Sequence, residues 1–212
     1  MCIQRINGLP RGQEGLNTVT IKYTESSTGD IVPIGANLQT MFPFFIETGE
    51  AVKMTSPCHS GGGWSLKILL SPSGGIIGYV SIYTFLHPLT NLLLPRICQV
   101  LVLPPYQAGG YGTILLESVY ASYRGVKTVG ALTYEDPCFG MRVLRDVMEY
   151  RMARSLIEGN VKKKGYTVGD ACAELKLPES RIERLKLLLD VVGGEALGEF
   201  GDRAKVSPKR RE

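Results

Sequence analysis

Apolar and polar positions alternate through the first half of the chain, and helical spacing takes over in the second half. Residues 1–16 carry no pattern and are read as an irregular segment. Over 17–23, Val19, Ile21 and Tyr23 alternate with polar neighbours, which predicts a strand. Over 37–48, Leu38, Met41, Phe42, Phe44, Phe45 and Ile46 have helical spacing, with Pro43 starting or interrupting the helix. Residues 49–63 are polar, end in three glycines and read as a loop. Two apolar strands, 64–70 and 76–85, flank the hairpin signal Ser71-Pro72-Ser73-Gly74-Gly75.

A further apolar run, Gln99-Val100-Leu101-Val102-Leu103, breaks at Pro104-Pro105. It passes through Gln107-Ala108-Gly109-Gly110-Tyr111-Gly112-Thr113 into a helical pattern of Ile114, Leu115, Leu116, Val119 and Tyr120 that ends near Tyr123. Residues 127–134 predict another strand, and 138–156 a helix with Val143, Leu144, Val147 and Met148 on its apolar side. After a linker at 162–165, two short helical patterns cover 168–175 and 178–189. The order predicts an α/β fold, a mixed and mostly antiparallel sheet flanked by helices with one parallel crossover pair. The core spans 17–157, a small helical C-terminal domain 166–192, and a basic tail 193–212.

Composition narrows the function classes. The chain has 212 residues, enough for one good core, with ordinary hydrophobic (44%) and charged (21%) content. The net charge of +4 comes partly from the tail (Lys205, Lys209, Arg210, Arg211) and does not demand a nucleic-acid partner. Cys2, Cys58, Cys98, Cys138 and Cys172 are scattered without a C-x-x-C pair, against a disulfide framework or a zinc site. His59 and His87 lack metal-ligand spacing, so no metal is expected. The longest apolar region, 92–105, is cut by prolines and Arg96, so no membrane span is expected. These features predict a soluble intracellular domain.

Three places carry candidate chemistry. A strand that breaks into a glycine-rich turn and opens a helix leaves backbone N–H groups free beside a helix dipole, a fit for phosphate. The turn lacks the Gly-Lys-Ser/Thr of a Walker loop, and its mid-chain place is wrong for a dinucleotide fingerprint. Its form is Gln-x-x-Gly-x-Gly, Gln107 to Gly112, which resembles the coenzyme A pyrophosphate loop of the GNAT acetyltransferase superfamily. Second, Glu135 and Asp136 end a predicted strand and precede Pro137. They either cap the following helix or supply a general base. A lysine amine, with a pKa of about 10.4, is almost wholly protonated at neutral pH and needs such a base to attack a thioester. Third, Glu47 follows Phe44-Phe45-Ile46, as a solvated helix end or a functional carboxylate.

Taken together, Leu38-Gln39-Thr40, Phe45-Ile46-Glu47-Thr48, Gly78-Tyr79, Tyr83, Pro95-Arg96, Gln99, Pro105-Tyr106-Gln107, Gly110-x-Gly112, Leu115-Leu116-Glu117, Glu135-Asp136-Pro137 and Leu144-Arg145-Asp146 resemble, in order, the catalytic core of type B histone acetyltransferases. The likeness runs from about Gly15 to Met152 and continues weakly into the helix at 181–189. It implies a GNAT-like acyltransferase core and direct transfer from acetyl-CoA to a lysine amine, with the histone H4 tail as acceptor. Val100, Leu101 and Val102 would meet the acetyl and pantetheine portions. Gln107, Ala108, Gly109, Gly110, Tyr111, Gly112 and Thr113 would wrap the pyrophosphate. Glu135 would be the base, Asp136 and Glu47 would assist, and Tyr83 and Phe85 would line the peptide groove. A WD-repeat histone-chaperone subunit is the implied partner, and nucleus and cytoplasm the implied locations.

This sequence departs from that pattern in two ways. Sixteen unpatterned residues stand where the family has a tail-clasping domain, and 51–63 contain no carboxylate where the family's loop is commonly acidic. A GNAT enzyme acetylating another protein amine or a polyamine is therefore a competing reading. Residues 171–185 superficially resemble a helix-turn-helix. Glu174, Glu179 and Glu183 lie where phosphates would sit, so a packing helix pair is expected there and no direct nucleic-acid contact.

Overall fold

The computed structural model describes residues 2–5, 15–22, 37, 38, 40, 42–45, 63–160 and 165–192. Within them the alternating segments form one six-stranded sheet in simple sequence order. Its strands are β1 (Cys2–Arg5), β2 (Asn17–Lys22), β3 (Gly63–Leu70), β4 (Ile76–Leu86), β5 (Leu93–Val102) and β6 (Thr133–Tyr134). Neighbours from β1 to β5 are antiparallel, and β5 and β6 are parallel. Helix α1 (Tyr111–Tyr123) provides the crossover between that last pair, followed by α2 (Phe139–Gly159), α3 (Val168–Glu174) and α4 (Ser180–Val192). No helix among the described residues is long and apolar enough to cross a membrane.

The sheet buries both faces. On one, Val80, Ile82 and Ile97 pack beneath Leu115, Leu116 and Val119 of α1 and Met148 of α2. On the other, Val19, Ile21, Leu66, Ile68, Tyr79 and Leu101 form a second cluster with Leu38. Each fully buried aliphatic side chain contributes about 1.5–3 kcal/mol. Helix α3 begins with a capping box, in which Asp170 N–H donates to Thr167 Oγ1 and Thr167 N–H to Asp170 Oδ2.

Four expectations are corrected. Residues 2–5 of the segment read as irregular are strand β1, paired from Cys2↔Thr20 to Arg5↔Asn17. Backbone pairing at an edge needs no apolar alternation, and that stretch shows none. Of the helix expected over 37–48, Asn37, Leu38 and Thr40 are helical, but Phe42–Phe44 is a 3-10 turn around Pro43, and Phe44 is 83% exposed. Met41 and residues 46–48 lie outside the described part.

The strand expected over 127–134 shrinks to Thr133–Tyr134 plus an isolated bridge, Leu93↔Val129. Between the two the pairing shifts by one residue beside Pro95, which has no N–H to donate, and Leu132 N–H donates to the Lys176 carbonyl, 2.7 Å away between α3 and α4. Finally, α2 buries Met148, Glu149, Tyr150, Ala153 and Leu156, while Val143 is 43% exposed. This helix packs against α1 on one side and against α3 and α4 on another, so its buried surface exceeds a single 3.6-period stripe.

Candidate active site

Strand β5 organises the site. Its pairing with β4 slips between Ser81 and Ile82, so Cys98 is the extra residue of a bulge, and beside it Ser81 Oγ donates to Gln99 Oε1 in a buried pair. On its other edge β5 pairs with β6 only at Arg96↔Thr133 and Ile97↔Tyr134, with a last bond from Glu135 N–H to the Ile97 carbonyl at 2.9 Å. The two strands then part. Leu103 N–H donates to the Ile77 carbonyl, so the two-residue period turns the peptide groups of Leu101 toward β4. Those of Val100 and Val102 face the opening between β5 and β6. Gln107 Nε2 donates to the Val102 carbonyl at 2.9 Å, tying the loop to the strand end. Gly78 makes the tight β4–β5 approach, since a Cβ there would stand 2.5 Å from the Leu101 carbonyl oxygen.

Beyond the strand, Pro104–Tyr106 makes a 3-10 turn. Ala108 (φ +60°) and Gly110 (φ +81°) adopt left-handed conformations that aim the backbone into α1. Gly110 is the N-cap without a side-chain bond, and the first turn has no acidic residue. The first intrahelical bond is Ile114 N–H to the Gly110 carbonyl, so the amides of Tyr111, Gly112 and Thr113 have no carbonyl partner within the helix. With the positive end of the helix dipole behind them they suit an anion. Gly112 packs the helix start inward, its Cβ position lying 3.4 Å from Leu144 and 3.9 Å from Val102. The open β5 edge, the exposed loop of residues 107–110 and the uncapped helix start fit an extended thioester arm ending in phosphates.

Glu135 and Asp136 are both exposed directly after β6, and Asp136 is held at φ +33°. Cys98 is the residue that sequence reasoning missed. Its half-buried thiol has two acceptors within reach of its one proton, the Arg96 carbonyl at 3.4 Å and Glu135. Burial first, then the bond to Glu135 and its charge, push this thiol up to about 12, so it stays protonated at neutral pH. The parallel register Ile97↔Tyr134 sets Cys98 beside Glu135, and a single sequence carries no sign of strand register.

Tyr83 and Phe85 lie on the β4 face that also carries Tyr79 and Ser81. The rings of Trp64 and Tyr83 are 5.0 Å apart, those of Tyr83 and Phe85 are 5.6 Å apart, and the Arg96 guanidinium lies 4.8 Å over Phe85. Tyr83 pairs with Arg96, which pairs with Thr133, two residues before Glu135. The structure therefore lines up an aromatic row, the Glu135–Asp136 pair, an open strand edge and the glycine loop along β5. From Arg96 to Val102 this spans ~20 Å. Glu47 lies outside the described residues.

A mixed, mostly antiparallel sheet with a parallel last pair, flanked by helices and opening onto an uncapped helix after Gln-x-x-Gly-x-Gly, is a GNAT-like acyltransferase core. No protein-family model matches the chain. The human histone acetyltransferase type B catalytic subunit is 28% identical over 126 residues, 56% of this chain and 29% of that protein. The Emericella nidulans protein of the same description is 25% identical over 192 residues, 72% of this chain and 39% of that protein. The matched part of the chain thus spans well under half the length of these relatives. Among solved structures, the xEco2 acetyltransferase domain aligns with a TM-score of 0.46 at 9% identity, covering 64% of this chain and 86% of that one. A ribosomal-protein-alanine N-acetyltransferase from Brucella melitensis aligns with a TM-score of 0.45 at 12% identity, covering 62% and 88%.

Proposed function

We propose that the chain transfers an acetyl group directly from acetyl-CoA to a lysine amine of a protein, and that the protein is histone H4 through its tail. The observation that carries this reading is the order along β5, where phosphate-type donors, an open backbone edge, a carboxylate pair and an aromatic row follow one another. Residues 107–113 wrap the pyrophosphate, with the amides of Tyr111, Gly112 and Thr113 as donors, and the Val100 and Val102 edge holds the pantetheine arm. Acetyl-CoA supplies an activated acetyl carbon and a good thiol leaving group. Glu135 takes the ammonium proton, directly or through water, so that the free amine attacks the thioester carbon while the carbon–sulfur bond breaks. A backbone N–H on the open edge of β5 stabilises the charge that develops on the carbonyl oxygen. Asp136 and Glu47 hold the ammonium before deprotonation, and Tyr83 and Phe85 flank the incoming peptide.

The type B histone acetyltransferase description of the relatives supports the choice of a histone. A WD-repeat histone-chaperone subunit is the partner this reading carries with it. Competition between an H4 tail peptide and spermidine for labelled acetyl-CoA tests it. Acetylated peptide as the main product is expected; a clear preference for the polyamine would overturn the histone assignment.

A further inference from the structure

Strand β6, which delivers Glu135, is only two residues long and meets β5 at two pairs. A ladder that short does not define a side-chain position to a fraction of an ångström, yet a general base has to be held within hydrogen-bond reach of its proton. Besides the bond from Glu135 N–H to the Ile97 carbonyl and the Cys98 thiol beside its side chain, restraint comes from the other side, where the C-terminal helices reach residues 132–134 by two routes.

The first contact is through backbone. Leu132 N–H donates to the carbonyl of Lys176, at the corner between α3 and α4, over 2.7 Å. The second is a chain of side chains. Arg181 on α4 donates through Nε to Glu149 Oε2 at 2.8 Å. Tyr120 Oη on α1 donates to Glu149 Oε1 at 2.8 Å, and it stands 3.1 Å from Tyr134 Oη on β6. The Arg145 guanidinium lies 5.4 Å from the centre of the Tyr134 ring. Asp146 anchors the outer side of Arg181 and also accepts from Arg184 at 2.9 Å.

Glu149 is the linchpin, only 1% exposed and compensated chiefly by Arg181. Removing the guanidinium leaves a buried carboxylate that has to take up a proton or turn toward solvent. A carboxylate that turns toward solvent takes away the acceptor that holds Tyr120, and Tyr120 in turn holds Tyr134, the neighbour of Glu135.

We infer that Arg181 is a positioning residue for Glu135, acting through Glu149, Tyr120 and Tyr134, so that the C-terminal helix pair sets the geometry of the catalytic strand. The inference rests on the reading of Glu135 as the general base. An ion pair that merely fastened α4 to α2 would change the melting temperature alone, because it would leave β6 where it is.

The test compares the wild-type chain, Arg181→Met and the double variant Arg181→Met/Glu149→Gln by hydrogen–deuterium exchange and by steady-state kinetics with acetyl-CoA and the H4 tail peptide. In Arg181→Met, exchange rises in the peptide spanning 131–137, where the amides of Leu132 and Glu135 are bonded, while β3 and β4 keep wild-type protection. The kcat falls roughly 10- to 100-fold, as displacement of a catalytic group by about 1 Å would produce. The KM for acetyl-CoA does not move. The double variant, which buries no unpaired charge and keeps an acceptor for Tyr120, regains most of the lost kcat.

Wild-type exchange over 131–137 in folded Arg181→Met, or an unchanged kcat, overturns the inference. If Arg181→Met does not fold, Tyr134→Phe removes one hydroxyl from the same chain and is held to the same two readouts. A wild-type chain that transfers no acetyl group counts against the functional reading, whereas the exchange comparison decides the coupling without any activity.

Discussion

The two ends of β5 are built from different materials. In the proposed site the groups at the glycine-loop end are backbone: the Val100 and Val102 edge, the uncapped amides of α1, and left-handed turns at Ala108 and Gly110. At the other end they are side chains, Glu135 and Asp136 with Cys98 beside them, on a strand steadied by Tyr134, Tyr120, Glu149 and Arg181. A backbone site depends on conformation and close approach, and most changes of side chain leave it standing. A side-chain site depends on partners far apart in sequence, and loss of any one spreads to the others. Substitutions at the two ends should therefore fail in different ways.

The largest expected effect is at the acceptor end. Glu135→Gln should lower kcat by roughly 10²- to 10⁴-fold while leaving acetyl-CoA affinity intact. Because a free amine needs no base, the rate should recover as pH rises toward the amine pKa of about 10. Turnover equal to wild type at neutral pH would remove Glu135 from this role. Next comes Gly110→Val at the cofactor end. Forcing a β-branched residue to φ +81° costs about 1–3 kcal/mol. The change should appear in calorimetry as a loss of roughly tenfold or more in acetyl-CoA affinity, with chemistry from the bound state largely retained. Normal affinity would contradict a backbone-built loop.

A smaller effect, on pH dependence, belongs to the network behind the side-chain end. In Asp146, burial raises the pKa, but hydrogen bonds from Arg181 and Arg184 outweigh it and hold the carboxyl below 3.8. Its contribution to stability is present above that value and is lost as pH falls through the lower folded one. Burial raises Glu149 above 4.5 despite Arg181 and Tyr120, so the folded state binds the proton more tightly than the unfolded state. That contribution shrinks as pH rises from 4.5 through the folded pKa. Thermal melts at stepped pH should show Glu149→Gln losing this decline. The smallest change is Ala108→Gly, which relieves a φ of +60° and should stabilise by ~1 kcal/mol without altering the pH profile.

The same contrast explains what could be read from sequence. The hairpin of β3 and β4, the strand entering the glycine loop and α1 are local patterns of period two or 3.6, and they were legible. The place of Glu135 and Asp136, exposed directly after a strand, was legible as well. Strand β1 was not legible, since its pairing with β2 leaves no trace in side-chain alternation. The strand over 127–134 was overread because nothing local reveals that its pairing with β5 shifts by one residue, or that the Leu132 amide is taken by Lys176. The bulge at Cys98 is a property of register between strands. The bond from Arg181 to Glu149 joins residues 32 apart and becomes visible only once α2 and α4 are packed.

The most direct test of the account is the single-turnover rate of acetyl transfer to the H4 tail peptide, measured against acetyl-CoA concentration for wild type, Glu135→Gln and Gly110→Val. One experiment yields both the half-saturating concentration and the limiting rate. The account predicts a wild-type chain that transfers acetyl, a Glu135→Gln curve with the same midpoint and a much lower plateau, and a Gly110→Val curve shifted to higher concentration with its plateau largely kept. A wild-type chain that acetylates no lysine of the peptide, or a Glu135→Gln curve that overlays it, would contradict the account.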